Sequence, residues 1–369
     1  MNKVLILLSV FVSTMFAQQK NINHNIVATV VPAKSNLTVI DEITFPDNLI
    51  NTDIVFTLNS ALKISKVTNG SVSLIKKEAA KNEVGMDHDQ NGIEQNLELN
   101  KYLLEVTDSK KPITIYYSGK IISQLEQNEE NYQRGFSQSP GIISSKGVYL
   151  AGSTYWIPTI KNKLVTFKLT ANLPDGWKTV SQGKAINNDY SQWECKLPQE
   201  EIFLISAKFT VYKKDVGAVT ALAFLRTPDE ALANKYLETT AQYLEMDRNL
   251  LGPYPYSKFA LVENFWETGY GMPSFTLLGE KIIRFPFILN SSYPHELLHN
   301  WWGNSVYVDF SKGNWCEGIT AYMADHLIKE QRGQGANYRR STLQRFTDYV
   351  NDKNDFPPSE FESRYDGAS

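Results

Sequence analysis

Two periodicities divide this chain. Up to about residue 212, apolar and polar residues alternate, as at Ile54, Phe56 and Leu58, at Ile113, Ile115 and Tyr117, and at Val165, Phe167 and Leu169. Alternation of β-branched and aromatic residues with polar ones predicts half-buried strands. Asn69-Gly70 reads as a hairpin turn between two such runs, and Pro174-Asp175-Gly176 as a second turn. Many short strands with turn signals predict a sandwich-like or saddle-like β domain. Near residue 213 the texture changes. Residues 219–225 form an apolar strand. Thr227-Pro228-Asp229-Glu230 predicts a helix start, with Thr as cap, Pro at the first helical position and Glu three residues after the cap. That helix is expected to run to about Leu250, with Leu232, Tyr236, Tyr243 and Leu250 among its core positions, and Gly252-Pro253 stops it. A strand follows over 258–262. The glycines of 269–279 permit close approach of another backbone. Helices are expected from about 292–294, after Gly313-Asn314, and across 336–350. No internal repeat is present.

Composition narrows the class. With 369 residues, 42% of them hydrophobic and 21% charged, the chain has room for two globular domains. A net charge of −3 offers no general basic surface for nucleic acid or anionic lipid. Lys3 precedes an apolar run over 4–16 that is too short to span a bilayer, and Ala17 stands before Gln18-Gln19. The expectation is a secretory signal peptide over 1–17, a secreted or periplasmic protein, and no stable membrane insertion after cleavage. The mature chain then divides into a β-rich part over 18–212 and a second domain over 213–369. Oligomeric state is not legible. Cys195 and Cys316 fall in different predicted domains, and neither has a Cys partner at short spacing, so neither a disulfide nor a thiolate metal site is expected. Asp87 to Asn91, with Gly92 and Glu98, fits the spacing of an EF-hand loop. Its flanks look strand-like rather than helical, so a solvated loop between strands is the expectation, with a calcium loop of another kind left open.

The chemistry concentrates in His295-Glu296-Leu297-Leu298-His299. On a helix, residues four apart lie on one face, so His295 and His299 can hold one metal ion. Glu296 is rotated from them by about 100°, which suits a general base acting on a water at that metal. Zinc with two His ligands needs a third protein ligand and an open position. Glu317, on the helix expected after Asn314, is the natural candidate. Two of the chain's five histidines fall in this motif, and tryptophans flank both elements. His24, His88 and His326 have no such setting and are expected to be structural or exposed.

The run H-E-L-L-H-N-W-W-G-N followed by W-C-E-G-I-T-A-Y resembles the aminopeptidase N family of zinc metallopeptidases, relatives of leukotriene hydrolase. The matching stretch covers about 250–325, and the order of domains extends the likeness more loosely. The resemblance implies a saddle-like β domain followed by a thermolysin-like α/β catalytic domain. It implies a single Zn2+ held by His295, His299 and Glu317, with Glu296 as general base, and a peptide substrate hydrolysed by Glu-assisted attack of water. Gly269, Tyr270, Gly271 and Met272 align with a loop that lies along the substrate backbone as an edge strand. Three departures stand out. The spacing from His299 to Glu317 is one residue shorter than usual. Pro273 replaces the family's amine-binding Glu, so recognition of a free amine would need Glu263 or Glu267. The family's transition-state tyrosine, in a Y-x-K-G segment, is expected beyond Ser369. The reading is a zinc peptidase, most simply an aminopeptidase. An endopeptidase or a hydrolase of blocked peptides is one alternative, and a zinc-containing peptide-binding module with little turnover is another.

Overall fold

The computed structural model describes residues 21–50, 52–80, 97–127, 137–352 and 355–361. The predicted signal peptide, His88 and nearly all of the EF-hand-like loop lie outside them. The architecture is multidomain, with mixed sheets and few helices. Residues up to Ala207 build three main sheets. The largest has seven strands, in the spatial order Lys184–Ala185, Gln192–Gln199, Val165–Asn172, Ile22–Val31, Asn36–Thr44, Ile113–Lys120 and Lys63–Thr68. Alternation does here what it predicts. Ile22, Ile26, Ala28 and Val30 point inward while Asn25 and Thr29 face water. A three-stranded sheet (Ile54–Asn59, Glu98–Val106, Gly70–Ala79) and a four-stranded one around Leu204–Ala207 pack against it.

The turn at Asn69-Gly70 is not a hairpin. Lys63–Thr68 pairs with Ile113–Lys120, whereas Gly70–Ala79 pairs with Glu98–Val106. The chain therefore leaves one sheet for another at Asn69, whose φ of 60° is the left-handed region that Asn tolerates. Its amide locks the corner, donating to Asp108 O and Lys111 O and accepting from the Asp108 backbone N–H. A Cβ on Gly70 would fall 2.5 Å from Glu105 O. Pro174-Asp175-Gly176 likewise turns the chain between two sheets rather than closing a hairpin. The flanks of the acidic loop are paired strands, with Ala79 opposite Glu98. An EF-hand needs a helix on each side, so that reading fails.

A five-stranded sheet follows, in the order Thr210–Val216 (β1), Val219–Leu225 (β2), Lys258–Asn264 (β3), Phe275–Gly279 (β5) and Gly269–Met272 (β4). The three inner strands are parallel. β3 and β5 are buried along their whole length, as parallel strands covered on both faces must be. The long helix Glu230–Leu251 (α1) makes the crossover from β2 to β3. Its cap is Asp229, which accepts from the Leu232 backbone N–H at 2.9 Å, rather than Thr227. The carboxylate does the work because Pro228 pushes the preceding residue out of the helix. Tyr236 and Tyr243 are buried as expected, but Leu250 is exposed, and Leu237, Thr240 and Leu244 fill the inner face instead.

Short helices follow: Ser292–Leu298 (α2), Trp315–Thr320 (α3), a π-helical turn Ala321–His326 continuous with it, Leu327–Gln331 (α4) and Gly335–Tyr349 (α5). One buried hydrophobic cluster runs from the first sheet to these helices. It is sealed at the seam by Trp266, whose indole N–H donates to Ser137 O at 2.8 Å, and by Tyr149, edge-on to the same indole. Burying a large apolar side chain contributes about 1.5–3 kcal/mol. Tyr149 also packs against Tyr270 of β4, with ring centroids 6.3 Å apart, and so ties that strand to the N-terminal sheets.

Candidate metal centre

α2 is short because its sequence leaves little choice. Ser291 stands at its N-terminal boundary without a side-chain cap, its hydroxyl donating instead to Phe287 O. Pro294 sits in the first turn, where a missing N–H costs nothing. His299 closes the helix with its N–H on His295 O at 3.2 Å. The two imidazoles lie on one face with ring centroids 4.7 Å apart. After α2 the chain doubles back. Asn304 N–H returns to His299 O, and Gly303 adopts a φ of 87°. Trp301 packs edge-on against Tyr254 and donates to Gly252 O.

The second element brings the acid. Gly313, at φ 87°, turns the chain into α3, and Glu317 lies in its first turn. His295 Nε2 stands 3.4 Å from Glu317 Oε2, and His299 Nε2 stands 3.4 Å from Glu317 Oε1. One donor atom from each of the three lies within 4.8 Å of the others, and among the described residues no other group of His, Cys, Asp and Glu gathers so closely. Ligands about 2.1 Å from a tetrahedral zinc are about 3.4 Å apart, the separation of each imidazole Nε2 from one Glu317 oxygen.

The far side of each imidazole supports the same reading. His295 Nδ1 is 3.5 Å from Asp325 Oδ2. His299 Nδ1 is 3.3 Å from Cys316 Sγ and 3.4 Å from Thr320 Oγ1. Both rings thus turn Nε2 inward and Nδ1 toward a partner that fixes tautomer and orientation, which is how metal-ligating histidines are usually held. Cys316 is fully buried and lies outside the donor triangle. Sequence reasoning missed Asp325, for a physical reason. Two α-turns take about seven residues, and an α-period points to Ala324. The π turn over Ala321–His326 inserts an extra residue and so returns Asp325 to the face of Glu317. Cys316 and Thr320 were missed because nothing in their spacing sets them against His299.

Electrostatics separate the two histidines. Burial alone lowers both, and it dominates at His299, which is pushed down to about 4. At His295 the opposing hydrogen bonds to Asp325 and Glu317 outweigh burial and hold the imidazole well above its ordinary value. Burial raises the Glu296 carboxyl to about 7, and the charges of Glu317 and Asp325 add to the rise.

Glu296 faces β4. A Cβ on Gly271 would fall on its carboxylate oxygen, so the absence of a side chain lets the general-base candidate reach the strand. Among the described residues β4 is the outer strand of its sheet and pairs only with β5, with Gly269 opposite Leu278 and Met272 opposite Phe275. Pro273 and Ser274 form the two-residue connection, with Ser274 at φ 69°. Of the two acids that could replace a residue at Pro273, Glu263 is engaged through both oxygens and Glu267 through one, its other oxygen being buried without a hydrogen-bond partner. Glu263 is buried, holding Arg284 at 3.1 Å and the Arg226 backbone N–H at 2.6 Å. Glu267 accepts from the Lys281 backbone N–H at 3.0 Å, at the end of the hairpin away from Pro273.

No protein-family model matches the chain, and no curated protein sequence matches it. Its fold matches solved structures of zinc peptidases at low identity. One is a variant of an M1 zinc metallopeptidase from Deinococcus radiodurans bound to a Tyr-Ser-Ala substrate, with 14% identity, a TM-score of 0.60, and coverage of 94% of this chain and 79% of that one. Native yeast LTA4 hydrolase matches with 12% identity and a TM-score of 0.57, over 89% of this chain and 52% of that one. An aminopeptidase N family protein from Idiomarina loihiensis matches with 12% identity and a TM-score of 0.50, over 83% of this chain and 54% of that one. The chain thus has the fold of M1-type zinc metallopeptidases, and spans about half the length of the yeast hydrolase.

Proposed function

We propose that this chain is a zinc-dependent peptidase. The observation that carries the reading is the convergence of His295, His299 and Glu317 beside Glu296, with the carboxylate of Glu296 against an edge strand. Zinc, when bound, supplies a Lewis acid that polarises a carbonyl and acidifies water toward a pKa of about 7. Glu296 takes the proton of the attacking water and delivers it to the leaving amine. The open backbone groups of Gly269–Met272 hold the substrate extended by adding it as a further strand. The saddle-like and thermolysin-like domains, divided near residue 212, and export under a signal peptide over 1–17 belong to the same reading.

Aminopeptidase activity is the simplest form, and one structural neighbour carries a bound tripeptide. A second form, cleavage of internal or blocked peptide bonds, is favoured by Pro273 and by the engagement of Glu263 with Arg284. Assays on amino-acid nitroanilides and their N-acetylated forms separate the two. A preference for free amines supports the aminopeptidase, and a preference for blocked substrates supports the second form. Cleavage of neither, with zinc bound, overturns both and leaves a peptide-binding module.

A further inference from the structure

A buried lysine sits beneath the site without an acid to pair it. Lys258, at the start of β3, is 3% exposed, and its ionisable neighbour among the described residues is the buried Cys195 thiol rather than a carboxylate. Its ammonium donates to Ser274 O at 3.0 Å and to Ser274 Oγ at 2.8 Å. The rings of Trp193 and Phe275 approach it at 5.2 and 4.9 Å. An unpaired charge in such a place is expensive, and burial holds this amine well below its ordinary value. Both of its hydrogen bonds go to one turn residue.

Ser274 is where three elements meet. Its backbone N–H donates to Asn300 Oδ1 at 2.5 Å. Asn300 follows His299, is fully buried, and donates through Nδ2 to Glu296 O and Leu297 O at 3.2 and 3.1 Å. Ser274 Oγ also accepts from the Gly183 backbone N–H of the N-terminal sheets at 3.2 Å, and Ser274 O from the Ala260 backbone N–H at 3.1 Å. A residue at φ 69° with every polar group engaged is held there by its surroundings.

We infer that Lys258, Ser274 and Asn300 form a buried clamp that fixes the register of the edge strand Gly269–Met272 against the metal helix. Lys258 is then a positioning residue for an extended peptide ligand. That consequence rests on the peptidase reading, whereas the clamp itself does not. The clamp acts between two parts that must agree within a fraction of an ångström. Glu296 hangs from the helix that Asn300 grips, and Gly271 belongs to the hairpin whose turn Lys258 grips. A misplacement of about 1 Å at a reacting centre can cost about 10²-fold in rate.

The test uses the full-length, zinc-loaded protein and two readouts. The first is hydrogen exchange. In Lys258→Met, backbone amides over 269–279 should exchange at least about tenfold faster while those of Ile22–Val31 stay unchanged, and unchanged exchange over 269–279 overturns the clamp. Ser274→Gly, which relieves the positive φ and removes the whole hydroxymethyl side chain while keeping the backbone carbonyl that Lys258 also grips, provides the same readout with a smaller rise should Lys258→Met fail to fold. The second is kinetic. KM for a pentapeptide should rise about tenfold in Lys258→Met while KM for a single-residue nitroanilide, too short to run along the strand, is kept. An equal loss on both substrates, with KM unchanged, signals damaged folding and overturns the positioning role. The double variant Lys258→Met/Asn300→Leu should be no worse than its worse single parent, and additive losses mean two separate contacts rather than one clamp. If the parent cleaves no peptide yet exchange responds as described, the clamp stands and the peptidase reading falls.

Discussion

Two of the places where this molecule sets histidine against carboxylate do opposite things. In the seven-stranded sheet His24 Nδ1 meets Asp41 Oδ2 at 2.8 Å, and both side chains are closed to water. Each has a single partner, and His24 Nε2 and Asp41 Oδ1 are left without one. In the helical site the contacts are longer, yet two imidazoles and a carboxylate offer inward atoms to one point, and Glu317 keeps 30% of its side-chain surface. The first pair cross-links strands. The second arrangement leaves room for an ion and a path to it. Contact between a histidine and an acid therefore says little about function, whereas convergence with access says a great deal.

The comparison can be broken from its strongest side first. Glu317→Ala should reduce bound zinc from about one equivalent to nearly none by elemental analysis, and retained zinc would remove Glu317 from the ligand set. Glu296→Gln should keep zinc and lower turnover by about 10²–10⁴-fold. An undiminished rate means another group carries the proton. Gly271→Ala pushes a methyl onto the Glu296 carboxylate and should cost turnover by about 10²-fold, again at constant zinc. Asp325→Asn should weaken zinc binding by about 10–100-fold through His295, measured by competition with a chelator. Asp41→Asn should leave zinc and kinetics untouched. Breaking the buried pair should instead lower stability by about 3–5 kcal/mol in denaturant titration, and a loss of zinc there would erase the distinction.

Much of this was legible beforehand. The strands over 54–59, 113–120 and 219–225 follow from their alternation or apolar runs, and the helices bearing His295 and Glu317 from local start and stop signals. Local chemistry failed where two partners competed. Asn69-Gly70 has the composition of a hairpin turn, but which strands pair is settled by sheet packing far away in sequence. Thr227 and Asp229 can both cap a helix, and the proline between them decided for Asp229. The facing of His295 and His299 was legible because a spacing of four along one helix fixes a geometry by itself.

The sequence by itself determined the helix that carries His295, Glu296 and His299, since the spacing of side chains on an α-helix is a property of the backbone. It also supplied the glycines of the edge strand and the proline that ends it. Only the tertiary structure decided what surrounds them. The π turn that returns Asp325 to His295, the thiol and hydroxyl behind His299, the commitment of Glu263 to Arg284, and the clamp of Lys258 on Ser274 each join residues that no local periodicity relates. Such contacts arise when packed elements choose their mutual register, and that choice is made by the whole core at once.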